Sequence, residues 1–279
     1  MKKILLFILL STSYSQAQTF HLSKELSEIS GIEFLNDTTI AAINDGGHKP
    51  WVYLLNLEGK IQGVVKVTNA TNRDWEDLAV DENHLYIGDI GNNANSRKDL
   101  AIYKVKINDL LQDTTVEAEK ITFNYAEQTA FPPERSGKFF DAEALAYDND
   151  SLYIFTKNRA RPKDGNAWVY KLPVVPGDYS ISKMAEIYIG IGGIWADALT
   201  AADIVGDEFF LMTYNRVIIK KLENGEFVGD ENISFKTYSQ KEALVVKTKF
   251  ELYVADEKQI MLGGPRMYFI EVNDKRDEE

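Results

Sequence analysis

The chain repeats one unit five times, and that repetition limits the fold more than any other feature. The unit is clearest at Asp74-Trp75-Glu76-Asp77-Leu78-Ala79-Val80, followed by Leu85-Tyr86-Ile87-Gly88-Asp89. A polar residue opens a short apolar strand, a turn follows, and a second apolar strand ends on a polar residue. The five openings are Ser30-Gly31-Ile32, Glu76-Asp77-Leu78, Glu143-Ala144-Leu145, Thr200-Ala201-Ala202 and Glu242-Ala243-Leu244. The matching second strands are residues 40–43, 85–87, 152–155, 209–212 and 252–255. Turn formers such as Asn36-Asp37, Asp81-Glu82-Asn83 and Asp148-Asn149-Asp150 separate the two.

A third strand follows each pair, at 51–57, 100–107, 167–172, 217–222 and 266–272. Four of these carry a tyrosine at the matching place, Tyr53, Tyr103, Tyr170 and Tyr268, and the fourth repeat has Ile219. Fourth strands are predicted at 61–67, 121–125, 181–189 and 233–238, with hairpin signals at Glu58-Gly59 and Asn224-Gly225. The fifth repeat runs out of chain after its third strand, and residues 19–23 supply the missing one. Repeats of roughly fifty residues with four strands each mean a propeller. The expectation is an all-β, five-bladed β-propeller of four-stranded antiparallel blades, closed by the N-terminal strand joining the last blade. Six blades is the alternative, with the extra blade at 110–138; Pro132-Pro133 there reads better as a surface excursion. Bulky residues on the strands are expected to pack between blades rather than to form a sugar platform.

Residues 1–18 read as a signal peptide. Lys2 and Lys3 give a positive start, residues 4–10 a short apolar run, and Ser15-Gln16-Ala17 a small-residue cleavage site. Residues 19–279 then form a single domain that is secreted, periplasmic or on the cell surface. The apolar run is too short to span about 30 Å of hydrocarbon, so no membrane insertion is expected. The chain has no cysteine, which excludes disulfides and thiolate chemistry. Its net charge is −12, and such a surface repels phosphate backbones, so nucleic acid is not an expected partner. A monomer is expected.

In a four-stranded meander the first strand begins at the end of the sheet where the second strand finishes. The first strand lines a propeller's channel. Ser30, Glu76, Glu143, Thr200 and Glu242 should therefore converge on the axis at one mouth. Carboxylates pointed at one another must stay protonated or share a cation. Three Glu and two hydroxyls suit a hard cation that takes oxygen ligands, which is calcium. Zinc does not fit: the histidines are His21, His48 and His84, none at ligand spacing. A water-filled acidic channel without an ion is the other reading. Around the mouth should lie Asp45, His48, Asp89, Arg97, Lys157, Arg159, Asn215, Arg216 and Asp256. Asp45, Asp89 and His48 are the candidate catalytic groups. Arg97, Lys157, Arg159, Asn215, Arg216 and Asp256 are candidates for holding a small anionic ligand bridged by the metal. No Gly-x-Ser-x-Gly, His-Glu-x-x-His, phosphate loop or EF-hand loop is present.

Two resemblances rest on these residues. Glu28-Ile29-Ser30-Gly31-Ile32, Tyr53-Leu54-Leu55-Asn56-Leu57-Glu58-Gly59-Lys60, Asp74-Trp75-Glu76-Asp77-Leu78-Ala79 and Asp141-Ala142-Glu143-Ala144-Leu145-Ala146 resemble the secreted propellers of the SdiA-regulated and esterase-like phytase families. The order Ser30, Glu76, Glu143, Thr200, Glu242 is similar to the Ser/Glu/Glu/Ser/Glu ring around calcium in the calcium-activated nucleotidase (apyrase) family, with Thr200 keeping the oxygen. The resemblances imply the propeller fold, a calcium ion and, by analogy, a phosphoester or anhydride hydrolase. Three functions stand open at this point: a secreted calcium-bearing binding module, a calcium-dependent phosphoesterase, and a structural or adhesion protein with an empty channel.

Overall fold

The computed structural model describes residues 11–12, 14–259 and 263–272. It is a five-bladed β-propeller. Blade one is built from Ile29–Asn36, Thr39–Asn44, Trp51–Leu55 and Ile61–Val67, in that order from the axis outwards. Blade two uses Trp75–Val80, His84–Asp89, Leu100–Lys106 and Glu119–Tyr125. Blade three uses Ala142–Asp148, Ser151–Thr156, Asn166–Pro173 and Lys183–Tyr188, and blade four Leu199–Val205, Glu208–Thr213, Arg216–Glu223 and Glu226–Ser234. Blade five takes Lys241–Thr248, Glu251–Asp256 and Arg266–Val272 from the end of the chain and Tyr14–His21 from its beginning. The ring is thus closed by hydrogen bonds between the two ends.

The sixth-blade alternative fails on topology. The interval after Lys106 holds the helix Ile107–Gln112, the short strand Thr115–Val116, the outer strand of blade two and the turn Arg135–Gly137. No further sheet forms there. Three blades also carry a fifth strand that the repeat pattern does not announce. Thr115–Val116 pairs parallel with the outer strand of blade one, Gly177–Ile181 with that of blade two, and Ser11–Thr12 with that of blade four. In each case the chain approaching one blade's outer strand first covers the exposed edge of the preceding blade. Unpaired edges invite association with other chains, and this device removes three of them. The outer strand of blade three accordingly begins at Lys183, later than the pattern suggests, because Gly177–Ile181 belongs to its neighbour.

The closing strand begins earlier than residue 19. Tyr14, Gln16, Ala17 and Gln18 pair with Val272, Glu271, Ile270 and Phe269. Cleavage after residue 18 leaves Thr19, Phe20 and His21 on Tyr268, Met267 and Arg266 to hold the ring. Lys2, Lys3 and the apolar run 4–10 lie outside the described residues. Among the described residues no helix is long and apolar enough to cross a membrane.

The apolar core is divided into five, one cluster at each junction between blades. Tyr53, Tyr103, Tyr170 and Tyr268 are buried in four of these clusters, each against the blade before its own. In blade four the matching residue is Ile218, not Ile219. Ile218 pairs with Leu211 just as Tyr53, Tyr103, Tyr170 and Tyr268 pair with Ala42, Ile87, Ile154 and Val254. A one-residue slip moves a strand side chain to the opposite face, and Ile219 packs instead on the cluster shared with blade five.

Gly31 is fixed by a neighbouring backbone. A Cβ there would stand 3.0 Å from Asp77 Cα and 3.1 Å from Leu78 N, so the inner strands of blades one and two meet at this glycine. Gly63, on the outer strand of the same blade, would place its Cβ in ordinary contact with the Leu54 side chain. Gly31→Val is expected to lower the free energy of unfolding by about 1–3 kcal/mol, and Gly63→Val by less than about 1 kcal/mol. Urea denaturation of the two variants checks both values.

Candidate functional site

Each inner strand has a bulge at the same place. Pairing with the second strand skips Ser30 in blade one, between Ile29↔Asn44 and Gly31↔Ile43. It skips Glu76 in blade two, Glu143 in blade three, Thr200 in blade four and Glu242 in blade five. An unpaired bulge residue bends the strand and re-aims its side chain. Five bulges in one layer place the five side chains at the same end of the channel.

Ser30, Glu76, Glu143 and Glu242 line a cavity of about 200 Å³ at that mouth. Asp45, Asn93, Lys157, Arg159, Tyr214, Gln240 and Glu257 complete its wall. Thr200 is buried, and its Oγ1 has no hydrogen-bond partner among the described residues.

The ring glutamates are not equivalent. Glu143 receives Lys157 Nζ at 2.9 Å and Arg159 Nη2 at 3.0 Å. Lys157 also reaches Tyr214 Oη at 3.3 Å, and Tyr214 donates to Glu242 Oε1 at 2.7 Å. Burial alone would lower the Lys157 ammonium, but Glu143 and Glu242 outweigh it and hold its pKa well above the usual range. Glu76 has no such partner. Burial, followed by the charges of Glu143, Asp45 and Asp74, pushes its pKa well above the normal carboxylate value. Asp45 is pushed up to about 7 by burial and by Asp74 and Glu143, and burial also raises Asp74. One oxygen from each of Asp45, Asp74 and Glu76 lies within 4.8 Å of the others. No basic side chain forms an ion pair with any of the three among the described residues.

Two glycines make that cluster possible. A Cβ on Gly91 would overlap Glu76 Oε1 and the Asp74 carboxyl, and one on Gly46 would overlap Asp74 Oδ1 and Arg73 O. Both loops can close over the carboxylates only because these positions lack a side chain.

The second strands explain which of the other expected residues reach the cavity. Asn44, Asp89, Thr156, Thr213 and Asp256 end those strands, opposite the residue before each bulge. These five turn inward as structural pins. Asp89 accepts from Asp74 N at 3.1 Å and from Arg97 Nη2 at 2.9 Å. Asp256 accepts from Arg266 N at 2.9 Å and Tyr268 Oη at 2.7 Å. Side chains alternate along a strand, so the residue one further on points the other way. Those residues are Asp45, Ile90, Lys157, Tyr214 and Glu257, and all but Ile90 line the cavity.

Asp89 and Asp256 are therefore outside the cavity, which takes Glu257 instead of Asp256 and Tyr214 instead of Asn215. Arg97 is buried on Asp89 and on Gly91 O at 2.7 Å. Arg216 is held by Asp197 at 2.8 Å and Ile189 O at 2.7 Å. Asn215 accepts from Thr213 Oγ1 at 3.0 Å and also from Arg216. His48 is exposed, with Nδ1 3.2 Å from Asp45 O, and does not line the cavity. Arg159 does line it, bound to Asp141, Asn93 and Glu143. Tyr214, Glu257, Gln240 and Asn93 have no distinctive sequence signal of their own. Counting one residue past the end of every second strand would have found the first two.

No family model matches the chain, and no curated protein matches its sequence. Solved structures do. Glutaminyl cyclase from Myxococcus xanthus is 11% identical with a TM-score of 0.55, covering 95% of this chain and 100% of that one. A chain of the nidogen/laminin complex is 11% identical, with a TM-score of 0.48 over 82% and 72%. The WD40 β-propeller domain of Doa1 is 12% identical, with a TM-score of 0.42 over 91% and 71%. At such identities the cyclase likeness is one of fold, and the class the chain falls in is the β-propeller.

Several carboxyls at the two ends of the channel hold protons more tightly folded than unfolded. Asp45 and Asp203 are raised to about 7 and Glu257 to about 9, burial being the largest cause in each. Unfolded carboxyls titrate near 4. Between these values the folded chain binds more protons, so stability is greatest at the acid end and is lost as pH rises through about 7 and then about 9. In chelator, the melting temperature is expected to fall continuously from pH 5 to pH 9. A flat or rising profile over that range contradicts the assignment.

Proposed function

We propose that the protein is a secreted binding propeller that holds a calcium ion at the bulge-lined mouth and takes a small anionic ligand there. The observation that carries this reading is the Asp45–Asp74–Glu76 cluster. Its three oxygens come from two separate segments, Asp45 from one and Asp74 and Glu76 from the other, and lie within 4.8 Å of one another with no ion-paired base among the described residues. Arg97 and Arg159 offset part of the Asp74 charge without pairing with it, and carboxylates that close need protons or a cation between them. All the donors are hard oxygens, which suits calcium. The ion would be held by Asp45, Asp74 and Glu76, with the Ser30 hydroxyl and Asn93 nearby on the same wall. This departs from a symmetric five-residue ring, because Glu143 is already engaged by Lys157 and Arg159, and Glu242 by Tyr214. Bound there, calcium would offer its open positions to carboxylate or phosphate oxygens of a ligand.

A phosphoesterase needs free basic groups for the transferred phosphate. Arg97, Lys157, Arg159 and Arg216 each pair with a protein carboxylate, namely Asp89, Glu143, Asp141 and Asp197. That pairing favours binding over phosphoryl chemistry. One observation does favour an enzyme of another kind. Glu257, held up to about 9 by burial and by Glu242 and Glu28, keeps a proton at neutral pH beside ionisable neighbours, an arrangement suited to a general acid. Incubating the protein with peptides that begin with glutamine, and measuring ammonia release, tests that reading against the cyclase neighbour's chemistry.

Calcium is expected to raise the melting temperature of chelator-treated protein, corresponding to about 2.7 kcal/mol at a hundredfold excess over Kd. Asp74→Asn should weaken calcium at least about tenfold, since it removes one of three charged donors. Glu143→Gln should change it much less. No calcium-dependent rise in the wild type, or equal losses in both variants, overturns the cluster as the site.

A further inference from the structure

The opposite mouth of the channel holds a second, larger cavity of about 410 Å³. It is walled by the far ends of all five inner strands and the turns beyond them, so it is as much a product of the fold as the first. Its lining is mixed: Phe34, Leu35, Val80, Ile107, Ile204 and Val246 give apolar surface, while Glu33, Asp37, Asp81, Glu82 and Asp203 supply acid.

Glu33 is the unusual group. It is 6% exposed, and its Oε1 accepts from Phe34 N at 2.7 Å, but its Oε2 has no hydrogen-bond partner among the described residues. No cation pairs with it among the described residues. Lys247, the lysine on this wall, is exposed at the rim and makes no ion pair among the described residues. Of the other carboxylates on this wall, Asp37 and Glu82 are exposed and Asp81 accepts from Asn83 N, His84 N and Tyr86 Oη, while Asp203 and the neighbouring Asp77 are satisfied by backbone. Asp203 accepts from Ile204 N at 2.7 Å and Val246 N at 2.6 Å. Asp77 accepts from Leu78 N, Leu145 N and Ala202 N. Burial and then the Asp203 charge hold the Glu33 pKa well above the usual carboxylate range; a buried carboxyl whose second oxygen opens on a cavity keeps a proton or takes a counter-charge there.

We infer that this cavity is a binding site for a small organic ammonium ion, its charged nitrogen on Glu33 Oε2 and its hydrocarbon part on the apolar wall. A metal is the poorer match. Calcium takes six to eight oxygens, whereas Asp77, Asp81 and Asp203 are already committed to N–H and O–H groups, Asp37 and Glu82 are exposed, and Glu33 offers one free oxygen. An alkylammonium needs few acceptors and gains from apolar walls that do nothing for a bare ion. The site is independent of the calcium reading, since it shares no residue with Asp45, Asp74 or Glu76.

The probe is n-butylammonium, titrated calorimetrically into full-chain protein treated with chelator. One ion should bind per chain, and n-butanol, which lacks the charge, at least about tenfold more weakly. Glu33→Gln should weaken n-butylammonium at least tenfold, and so should Val80→Trp, which narrows the cavity without touching a carboxylate. Asp74→Asn at the other mouth should leave it unchanged. The inference is overturned if the wild type gives no saturable heat, if butanol binds equally well, or if the variants that fold retain the affinity. It is also overturned if Glu33→Gln instead abolishes calcium-dependent stabilisation, which would make these acids a metal site. Should Glu33→Gln fail to fold, Val80→Trp still decides.

Discussion

A bulge in the same register of all five inner strands is the constraint on which the rest depends. Regular pairing would alternate each inner strand strictly between its two faces. The skipped residue breaks that alternation once per blade, always in the layer of Ser30, Glu76, Glu143, Thr200 and Glu242. Five residues far apart in sequence thereby share one level of one axis. The same irregularity sets the second wall of the cavity. The residue opposite each bulge's start ends the second strand as a pin, and in every blade but the second the next one lines the cavity.

Bringing so many carboxylates together carries an electrostatic cost, and the mouth resolves it unevenly. On one side the protein supplies its own cations, with Lys157 between Glu143 and Tyr214 and Arg159 between Asp141 and Glu143. On the other side Asp45, Asp74 and Glu76 have no ion-paired base among the described residues, only the more distant charges of Arg97 and Arg159 on Asp74, under loops that close only because Gly46 and Gly91 have no Cβ. A buried ion pair is weak evidence for stability, so the balanced side explains little about function. The unbalanced side is where a charge from outside has most to gain.

The fold was legible because its signals are local and recur: strand openings, turn residues and the tyrosines of the third strands. The ring was legible because all its members open a strand, a position that can be read without knowing any contact. The rim was less so. Asp89 and Asp256 have the right chemistry at the right end of a strand, yet they point away by the phase of a single residue. Tyr214 and Glu257 sit one place further on and carry no motif. Arg97 and Arg216 looked available for a ligand because the acids that consume them, Asp89 and Asp197, are defined only by tertiary packing. The slip from Ile219 to Ile218 has the same origin, since strand register is a property of pairs. The parallel edge strands were invisible for that reason too: Thr115–Val116 and Gly177–Ile181 serve the blade behind them, which no repeat within one blade can reveal.

One side chain ties inner strands together between the two mouths. Directly after the bulge the five blades carry Gly31, Asp77, Ala144, Ala201 and Ala243, four small residues and one carboxylate. Asp77 Oδ2 takes the N–H of Leu145 at 2.9 Å and of Ala202 at 3.2 Å, on the inner strands of blades three and four, while Oδ1 takes that of Leu78 on its own. Blade four does not adjoin blade two, so this carboxylate reaches across the axis. The neighbouring small residues leave room for it, and Gly31 lets blade one press directly on its backbone. Burial raises the pKa of Asp77 well above the usual value against three N–H bonds that lower it. The effect is a polar cross-brace at mid-channel, made from backbone donors that inner strands at a propeller axis would otherwise struggle to satisfy. The acids of the bulge-lined mouth and Glu33 line separate cavities, on either side of that brace.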